Sequence, residues 1–107
     1  MTEMEIPGIN LGIFITSDRF SEYAVPLARA ARKRGLTVRI HLTGPGVHLV
    51  RDAGFEELTT LGSVSICRES AAKFLVIDHI ENLPPGLLVP PHHLAWILLK
   101  CYRHLFL

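Results

Sequence analysis

Residues 36–47, with the sequence LTVRIHLTGPGV, decide the fold of this chain. The first seven of them, 36–42, alternate apolar and polar side chains with a period of two. This pattern is typical of a β-strand and places Thr37, Arg39 and His41 on one face. Thr43-Gly44-Pro45-Gly46 then predicts a tight turn, and residues 47–53 predict a short helix. A strand that passes through a turn into a helix favours an α/β fold.

Strands and helices alternate along the chain on both sides of this stretch. Short apolar runs predict strands over 11–16, 63–67 and 103–107, while 75–77 fits either a helix or a short strand. Helices are predicted after the polar loop 17–21, ending at Gly35, and over 55–61, 68–74 and 92–102. Pro26 predicts a kink or a late start of the first helix. The proline-rich segment 82–91 predicts a loop around the apolar stretch 87–89.

The predicted order of elements is β-α-β-α-α-β-α-α-β. Strands that alternate with helices favour a three-layer α/β/α sandwich with a mainly parallel sheet of four to five strands. No internal repeat or linker interrupts the pattern, so we expect a single domain over residues 1–107.

The composition disfavours several classes of protein. With 49% hydrophobic and 20% charged residues, the chain has enough apolar material for a core, so disorder is not expected. The net charge is only +1, and its basic cluster (Arg29, Arg32, Lys33, Arg34) contains no aromatic residue. Nucleic-acid binding normally needs a basic stripe with stacking groups, so a solvated helix face explains this cluster better.

The sequence also gives expectations about location. No apolar run approaches the ~20 residues that cross a bilayer, and the segment 1–6 carries Glu3 and Glu5 instead of the basic residues of a signal peptide. Two cysteines are too few for a secreted disulfide scaffold. We therefore expect no membrane partner, a cytoplasmic location and free thiols.

Cys67 is the principal candidate for chemistry. It stands at the end of the predicted third strand, where α/β sheets bind ligands, and a helix is predicted to begin at Arg68. The first amides of that helix and the cation of Arg68 would favour a thiolate, which is the reactive form of cysteine. The alternative is that Cys67 is a small buried hydrophobe.

Other candidates are weaker. Gly44, Pro45 and Gly46 could offer amides to an anion, but the phosphate-binding glycine motifs are missing and ordinary turn chemistry explains them. His41 and His48 flank this turn and are expected at the surface. The six histidines form no known metal motif; His92 and His93 point about 100° apart, and Cys101-x-x-His104 stands alone. We therefore expect no metal, and the missing Gly-x-Ser-x-Gly elbow disfavours hydrolysis.

The predicted helix 92–102 is apolar nearly all round. Leu94, Ile97, Leu98 and Cys101 fall at the spacing of one core-facing stripe. Trp96 and Leu99 occupy the other side. Because such a helix must be covered on more than one side, it is our candidate for a subunit interface.

The order of these elements resembles the DsrE/DsrF-like family. The resemblance rests on the strand and turn from Val38 to Val47, with its Thr-Gly-x-Gly-Val ending, and on a third strand, 64–67, that ends in a cysteine some twenty residues later. Arg68-Glu69-Ser70-Ala71-Ala72 follows that cysteine, and residues 92–107 fit the closing helix and strand of the family. Residues 75–90 match no part of this pattern.

The resemblance implies a sulfur-relay role. Cys67 would accept sulfane sulfur as a persulfide and pass it to a partner protein, in a sulfurtransferase subunit without metal or organic cofactor. Arg68 would hold the thiolate, Thr43, Gly44 and Gly46 would shape the pocket, and His48 would help to position a partner. Subunits of the family assemble as trimers or hexamers. The alternative is a non-catalytic oligomeric binding module of the same fold with an inert cysteine, as in relatives that act without catalysis.

Overall fold

The computed structural model of the chain describes residues 8–81, 83 and 85–107. Its strands are β1 (Ile9–Ile15), β2 (Val38–Leu42), β3 (Ser63–Cys67), β4 (Leu88–Val89) and β5 (Cys101–Phe106). Its α-helices are α1 (Ala24–Lys33), α2 (Gly54–Leu61), α3 (Arg68–Lys73), α4 (Ile77–Ile80) and α5 (His93–Lys100). Two 3-10 helices span Ser21–Tyr23 and Gly44–Arg51. No helix in this described part of the chain is long and apolar enough to cross a membrane.

The described strands form one parallel sheet in the order β4-β3-β2-β1-β5. The predicted α/β sandwich with a sheet of four to five strands is therefore confirmed. β1 lies between β2 and β5, the last strand of the chain. β5 also continues the pairing at its end, because the Leu107 amide donates to the Phe14 carbonyl at 2.8 Å and the Leu107 carbonyl accepts from the Thr16 amide at 2.8 Å.

Alternate side chains of the central strands form the larger half of the core. Ile13 and Ile15 of β1, Val38, Ile40 and Leu42 of β2, and Ile66 of β3 all point to one face. The helices α1 to α4 cover this face. The α1 stripe consists of Ala24, Ala28 and Ala31, whose small side chains let the helix approach the strands closely.

The second face of the sheet has a smaller apolar core. Phe14 packs there with Ile97 and Cys101, and of the described helices only α5 contributes to this cluster. Beside Phe14, in register across the sheet, lie His41 and Ser65. The two faces of the sheet therefore differ. The strand side chains on the first face are aliphatic, whereas the second face carries the aromatic Phe14 beside the polar side chains of His41 and Ser65.

Most differences from the predicted elements lie at their ends. β2 begins at Val38 instead of Leu36: the Thr37 carbonyl still accepts from the Leu11 amide (3.1 Å), but the Thr37 amide donates to the Asn10 side chain (2.9 Å) instead of to a strand carbonyl. The short helix predicted over 47–53 is a 3-10 helix that already begins at Gly44. Pro26 is the third residue of α1, where its missing amide would have no partner within the helix, so no kink is needed.

The carboxyl-terminal third departs further from prediction. The stretch placed in a loop includes β4, a two-residue strand fixed by its pairing with β3. The uncertain segment 75–77 leads into α4. Cys101 begins β5 instead of closing the helix, because α5 ends at Lys100, but it is buried as predicted.

Gly46 ties the turn after β2 to the end of β1. A Cβ atom at this position would run into the carbonyl of Ile15. The same carbonyl accepts a hydrogen bond from the Thr43 amide at 3.0 Å. The turn thus packs backbone against backbone at the carboxyl edge of the sheet.

We expect Gly46→Ala to lower the free energy of unfolding by about 1–3 kcal/mol, because the added methyl group forces the turn away from β1. Urea denaturation followed by circular dichroism measures this change. Gly8→Ala is the matched control, since no described residue lies within 4 Å of a Cβ atom there. Equal losses in the two variants would contradict the tight contact with Ile15.

The placement of His41 corrects a prediction. It was expected at the surface, but it is only 2% exposed, and its Nδ1 lies 2.7 Å from the Ser65 hydroxyl. Strand alternation predicts its face correctly but does not reveal that α5 and its flanking loops cover that face. Burial, together with the charges of Arg39 and His93, lowers the pKa of His41 from 6.5 to about 4.

A histidine that stays neutral in the folded protein makes stability depend on pH. Between about pH 6.5 and about pH 4 the unfolded chain binds a proton that folded His41 does not. The free energy of unfolding should therefore be highest above pH 6.5 and fall by ~3 kcal/mol as the pH drops to about 4. His41→Gln should flatten this slope, measured by urea titrations at several pH values. The exposed His92→Gln serves as control, and an unchanged slope in His41→Gln would contradict the assignment.

Candidate functional site

Cys67 occupies the junction between β3 and α3. It is the last residue of the strand and the N-cap residue of the helix, with extended backbone angles (φ −64°, ψ 121°). The strand ends here because the following residues 68–73 include good helix formers, with Ala71 buried against the first face of the sheet. Cys67 itself is 5% exposed, so its thiol lies just under the surface.

Hydrogen-bond donors from two segments face the Cys67 sulfur. Burial alone would raise the pKa of this thiol. The hydroxyl and amide of Ser70, the hydroxyl of Thr43 and the amide of Glu69 act in the opposite direction and outweigh burial, so the pKa of Cys67 lies below its usual value. Ser70 contributes most to this lowering, first through its hydroxyl and then through its amide, and the Thr43 hydroxyl and the Glu69 amide follow.

Ser70 connects the thiol to the turn after β2. The Gly44 amide donates to the Ser70 hydroxyl oxygen at 2.8 Å, and the Thr43 hydroxyl oxygen lies 3.4 Å from it. A backbone amide can only donate, so it occupies a lone pair of the Ser70 oxygen. The hydroxyl proton of Ser70 is then free to point at the Cys67 sulfur. The amide of Gly44 therefore supports the thiolate indirectly, through Ser70.

The predicted site residues divide into two groups. Thr43 and Gly44 belong to the hydrogen-bond network around Cys67. Gly46 instead packs against β1, and His48 is half-buried with its ring edge against Phe74 at a centroid distance of 5.4 Å. Arg68 is exposed, and the groups that lower the pKa of Cys67 are neutral donors instead of this guanidinium.

Sequence reasoning missed Ser70. It is the third residue of α3, the position at which a helix amide and side chain turn back towards the N-cap residue. This spacing was visible in the sequence as Cys67-Arg68-Glu69-Ser70. The sequence prediction assigned the stabilisation of a thiolate to the cation of Arg68. In the structure, neutral donors such as the Ser70 hydroxyl lower the pKa of Cys67 instead.

Cys101 has a different environment. It is 4% exposed and packs with Phe14 and Ile97 in the core of the second face. Burial raises the pKa of its thiol, and the nearby cation of Arg39 opposes this only in part. The two thiols therefore have different environments: Cys101 is a small side chain of the apolar core, as predicted, with a raised pKa, whereas polar donors lower the pKa of Cys67.

Three surface hollows lie away from Cys67. The first, of about 360 Å³, lies between α4 and β4, the second, of about 230 Å³, beside Leu75, and the third, of about 240 Å³, between Arg32 and Ser63. Among the residues that the structure describes, no three His, Cys, Asp or Glu side chains are grouped as metal ligands.

Comparison with family models, with curated proteins and with solved structures gives no match to this chain. The family resemblance of the sequence therefore stays a prediction.

We expect Ser70→Ala to raise the pKa of Cys67, because the variant removes the hydroxyl that faces the sulfur. The pH midpoint of iodoacetamide labelling measures this pKa, in a Cys101→Ser background that leaves one thiol. Labelling near neutral pH should then slow down, since only the thiolate reacts. Ser63→Ala, at the exposed start of β3, is the matched control. Identical midpoints in Ser70→Ala and the parent would show that the hydroxyl does not act on the sulfur.

Proposed function

We propose that this chain is a sulfur-relay protein, a sulfurtransferase subunit that carries sulfane sulfur as a persulfide on Cys67 and passes it to a partner protein. The observation that supports this function best is the set of neutral donors around the Cys67 sulfur. They lower the pKa of one thiol while the other stays in the core with a raised pKa. A sulfur carrier needs one such selectively ionised cysteine.

Loading would take place by nucleophilic attack. The Cys67 thiolate attacks the outer sulfur of a donor persulfide, R–S–SH. A new S–S bond forms on Cys67, the S–S bond of the donor breaks, and its electron pair leaves with the donor sulfur as a thiolate. The transferred sulfur keeps its proton. The oxidation level of the sulfane sulfur is handed on, so no external oxidant or reductant is needed.

Unloading is the same type of exchange, with the Cys67 persulfide now acting as the sulfur donor. A thiolate on the acceptor protein attacks the outer sulfur of the Cys67 persulfide, and Cys67 departs as a thiolate. A thiol with a lowered pKa is the better leaving group in such an exchange. The hydroxyls of Ser70 and Thr43 would thus assist both steps, because each passes through negative charge on the Cys67 sulfur.

The proposal has consequences for location and assembly. A persulfide carrier requires free thiols, which places it in a reducing compartment such as the cytoplasm. The partners would be a sulfur donor and a sulfur acceptor protein, and the carrier itself would be a homo-oligomer, a trimer or hexamer as the family resemblance implies.

The second candidate is a non-catalytic oligomeric binding module with an inert cysteine. One observation favours it: Cys67 is only 5% exposed, so a bulky donor has little of the thiol to reach. In this case the hydroxyl network would serve to satisfy the polar groups at the strand–helix junction.

Treatment of the native protein with inorganic polysulfide near neutral pH tests the proposal. Intact-mass and peptide mass spectrometry should show a gain of about 32 Da, one sulfur atom, on Cys67. Cys101→Ser should retain this gain and Cys67→Ser should lose it, each checked for folding by circular dichroism. Reduction should remove the added sulfur.

The binding module makes the opposite prediction. If polysulfide adds sulfur to neither thiol, and native Cys67 also resists iodoacetamide that modifies the unfolded chain, the relay function is wrong. Equal modification of Cys67 and Cys101 would also contradict it, because the structure gives the two thiols different environments.

A further inference from the structure

The surface formed by α5 and β5 is apolar and has no partner among the described residues. Trp96 and Leu99 on the helix are 45% and 80% exposed, and Tyr102 and Phe106 on the strand are 61% and 57% exposed. β5 is also an edge strand of the sheet. Clustered large apolar side chains of this kind mark interaction surfaces in folded proteins.

This surface is also basic. After Glu81 the sequence contains no further acidic residue up to Leu107, while Lys100 and Arg103 both fall in that part. Both cations lie against the exposed aromatics: the Lys100 amine is 5.6 Å from the Trp96 ring centre, and the Arg103 guanidinium is 5.2 Å from that of Tyr102. A partner for this surface must therefore be apolar and carry carboxylates.

The opposite edge of the sheet has the complementary properties. Between Lys73 and Lys100 the sequence contains no Lys or Arg, but it contains Asp78 and Glu81, both of which are exposed. The hollow between α4 and β4 holds about 360 Å³, well above the roughly 150 Å³ of a cavity that binds benzene. Its walls include Ile77, Ile80, Leu83, Leu87, Leu88 and Glu81.

We propose that the chain assembles head to tail, with the α5–β5 surface of one copy seated on the α4–β4 hollow of the next. Each copy carries both halves of the contact, at the two edges of its sheet. The aromatic and aliphatic side chains of α5 would fill the hollow, and Lys100 and Arg103 would face Asp78 and Glu81. Contacts of this heterologous kind close into rings when the rotation between copies permits.

A two-fold contact between two α5–β5 surfaces fits less well. It would place Lys100 and Arg103 of both copies in one interface, where residues 92–107 contain no Asp or Glu. Cations buried without a counterion are strongly destabilising. The charges therefore favour opposite edges over like edges, and this argument is independent of the sulfur chemistry on Cys67.

Charge reversal distinguishes these arrangements. Assembly is measured by sedimentation velocity over a range of concentrations, together with the emission of Trp96, the single tryptophan, which should shift to shorter wavelength as it becomes buried. Lys100→Glu with Arg103→Glu should weaken self-association by about tenfold or more, and so should Asp78→Lys with Glu81→Lys. The quadruple variant, which exchanges the two edges, should regain assembly. Asp18→Lys with Glu22→Lys, two exposed carboxylates elsewhere, should assemble like the parent.

Several results would overturn the head-to-tail contact. A parent chain that stays monomeric at high micromolar concentration would do so, as would unchanged assembly of the Asp78→Lys, Glu81→Lys variant. Failure of a folded quadruple variant to assemble would count equally against it. If that variant does not fold, an equimolar mixture of the two double variants replaces it: the mixture must associate although each variant alone does not.

Discussion

The candidate site around Cys67 depends on two contacts between the turn after β2 and the carbonyl of Ile15, the last residue of β1. That oxygen accepts the Thr43 amide, and Gly46 passes so close to it that no side chain fits. This double contact fixes the turn after β2 at the carboxyl edge of the sheet. Only with the turn held there can the Gly44 amide reach the Ser70 hydroxyl and the Thr43 hydroxyl face Cys67. The contacts with Ile15 thus position the turn whose Thr43 and Gly44 belong to the polar network beside Cys67.

The two faces of the sheet differ in the side chains that they carry and in the helices that cover them. The first face carries aliphatic strand side chains, is covered by α1 to α4, and holds most of the buried apolar side chains of the described residues. The second face carries the row of Phe14, His41 and Ser65, with Cys67 at its carboxyl end, and these side chains are buried. Its apolar cluster is small, and large apolar side chains on the outer sides of α5 and β5 stay exposed.

Local patterns in the sequence were sufficient for the architecture. The alternation in 36–42 and the bounds of β3 could be predicted because each strand there has its own apolar–polar signal and a turn or glycine at its end. β4 could not, since two residues have no period and this strand exists only through its pairing with β3. The burial of His41 could not be predicted either, because the sequence of a strand does not show whether a helix distant in the chain covers one of its faces.

The sequence predicts Cys67 as the thiol of the candidate site, but it does not predict the hydrogen-bond network around it. A cysteine at a strand–helix junction is visible in the sequence, and so is the turn 43–46. That Ser70 joins the two is a property of three dimensions, because Gly44 and Ser70 are 26 residues apart and meet only when β2 and β3 pair in parallel. Charged residues such as Arg68 attract attention in a sequence, whereas neutral donors are recognised only once their geometry is known.

The position of β1 beside the edge strand β5 has a consequence for biosynthesis. Its partner β5 follows it by about ninety residues, yet α5 and β5 supply Ile97 and Cys101, which cover Phe14. A ribosome therefore releases β1, β2 and β3, with the helices of the first face, long before the second face can close. During translation the nascent sheet presents Phe14 and one bare strand edge, the type of surface that chaperones bind. Closure of the second face waits for α5 and β5 to emerge.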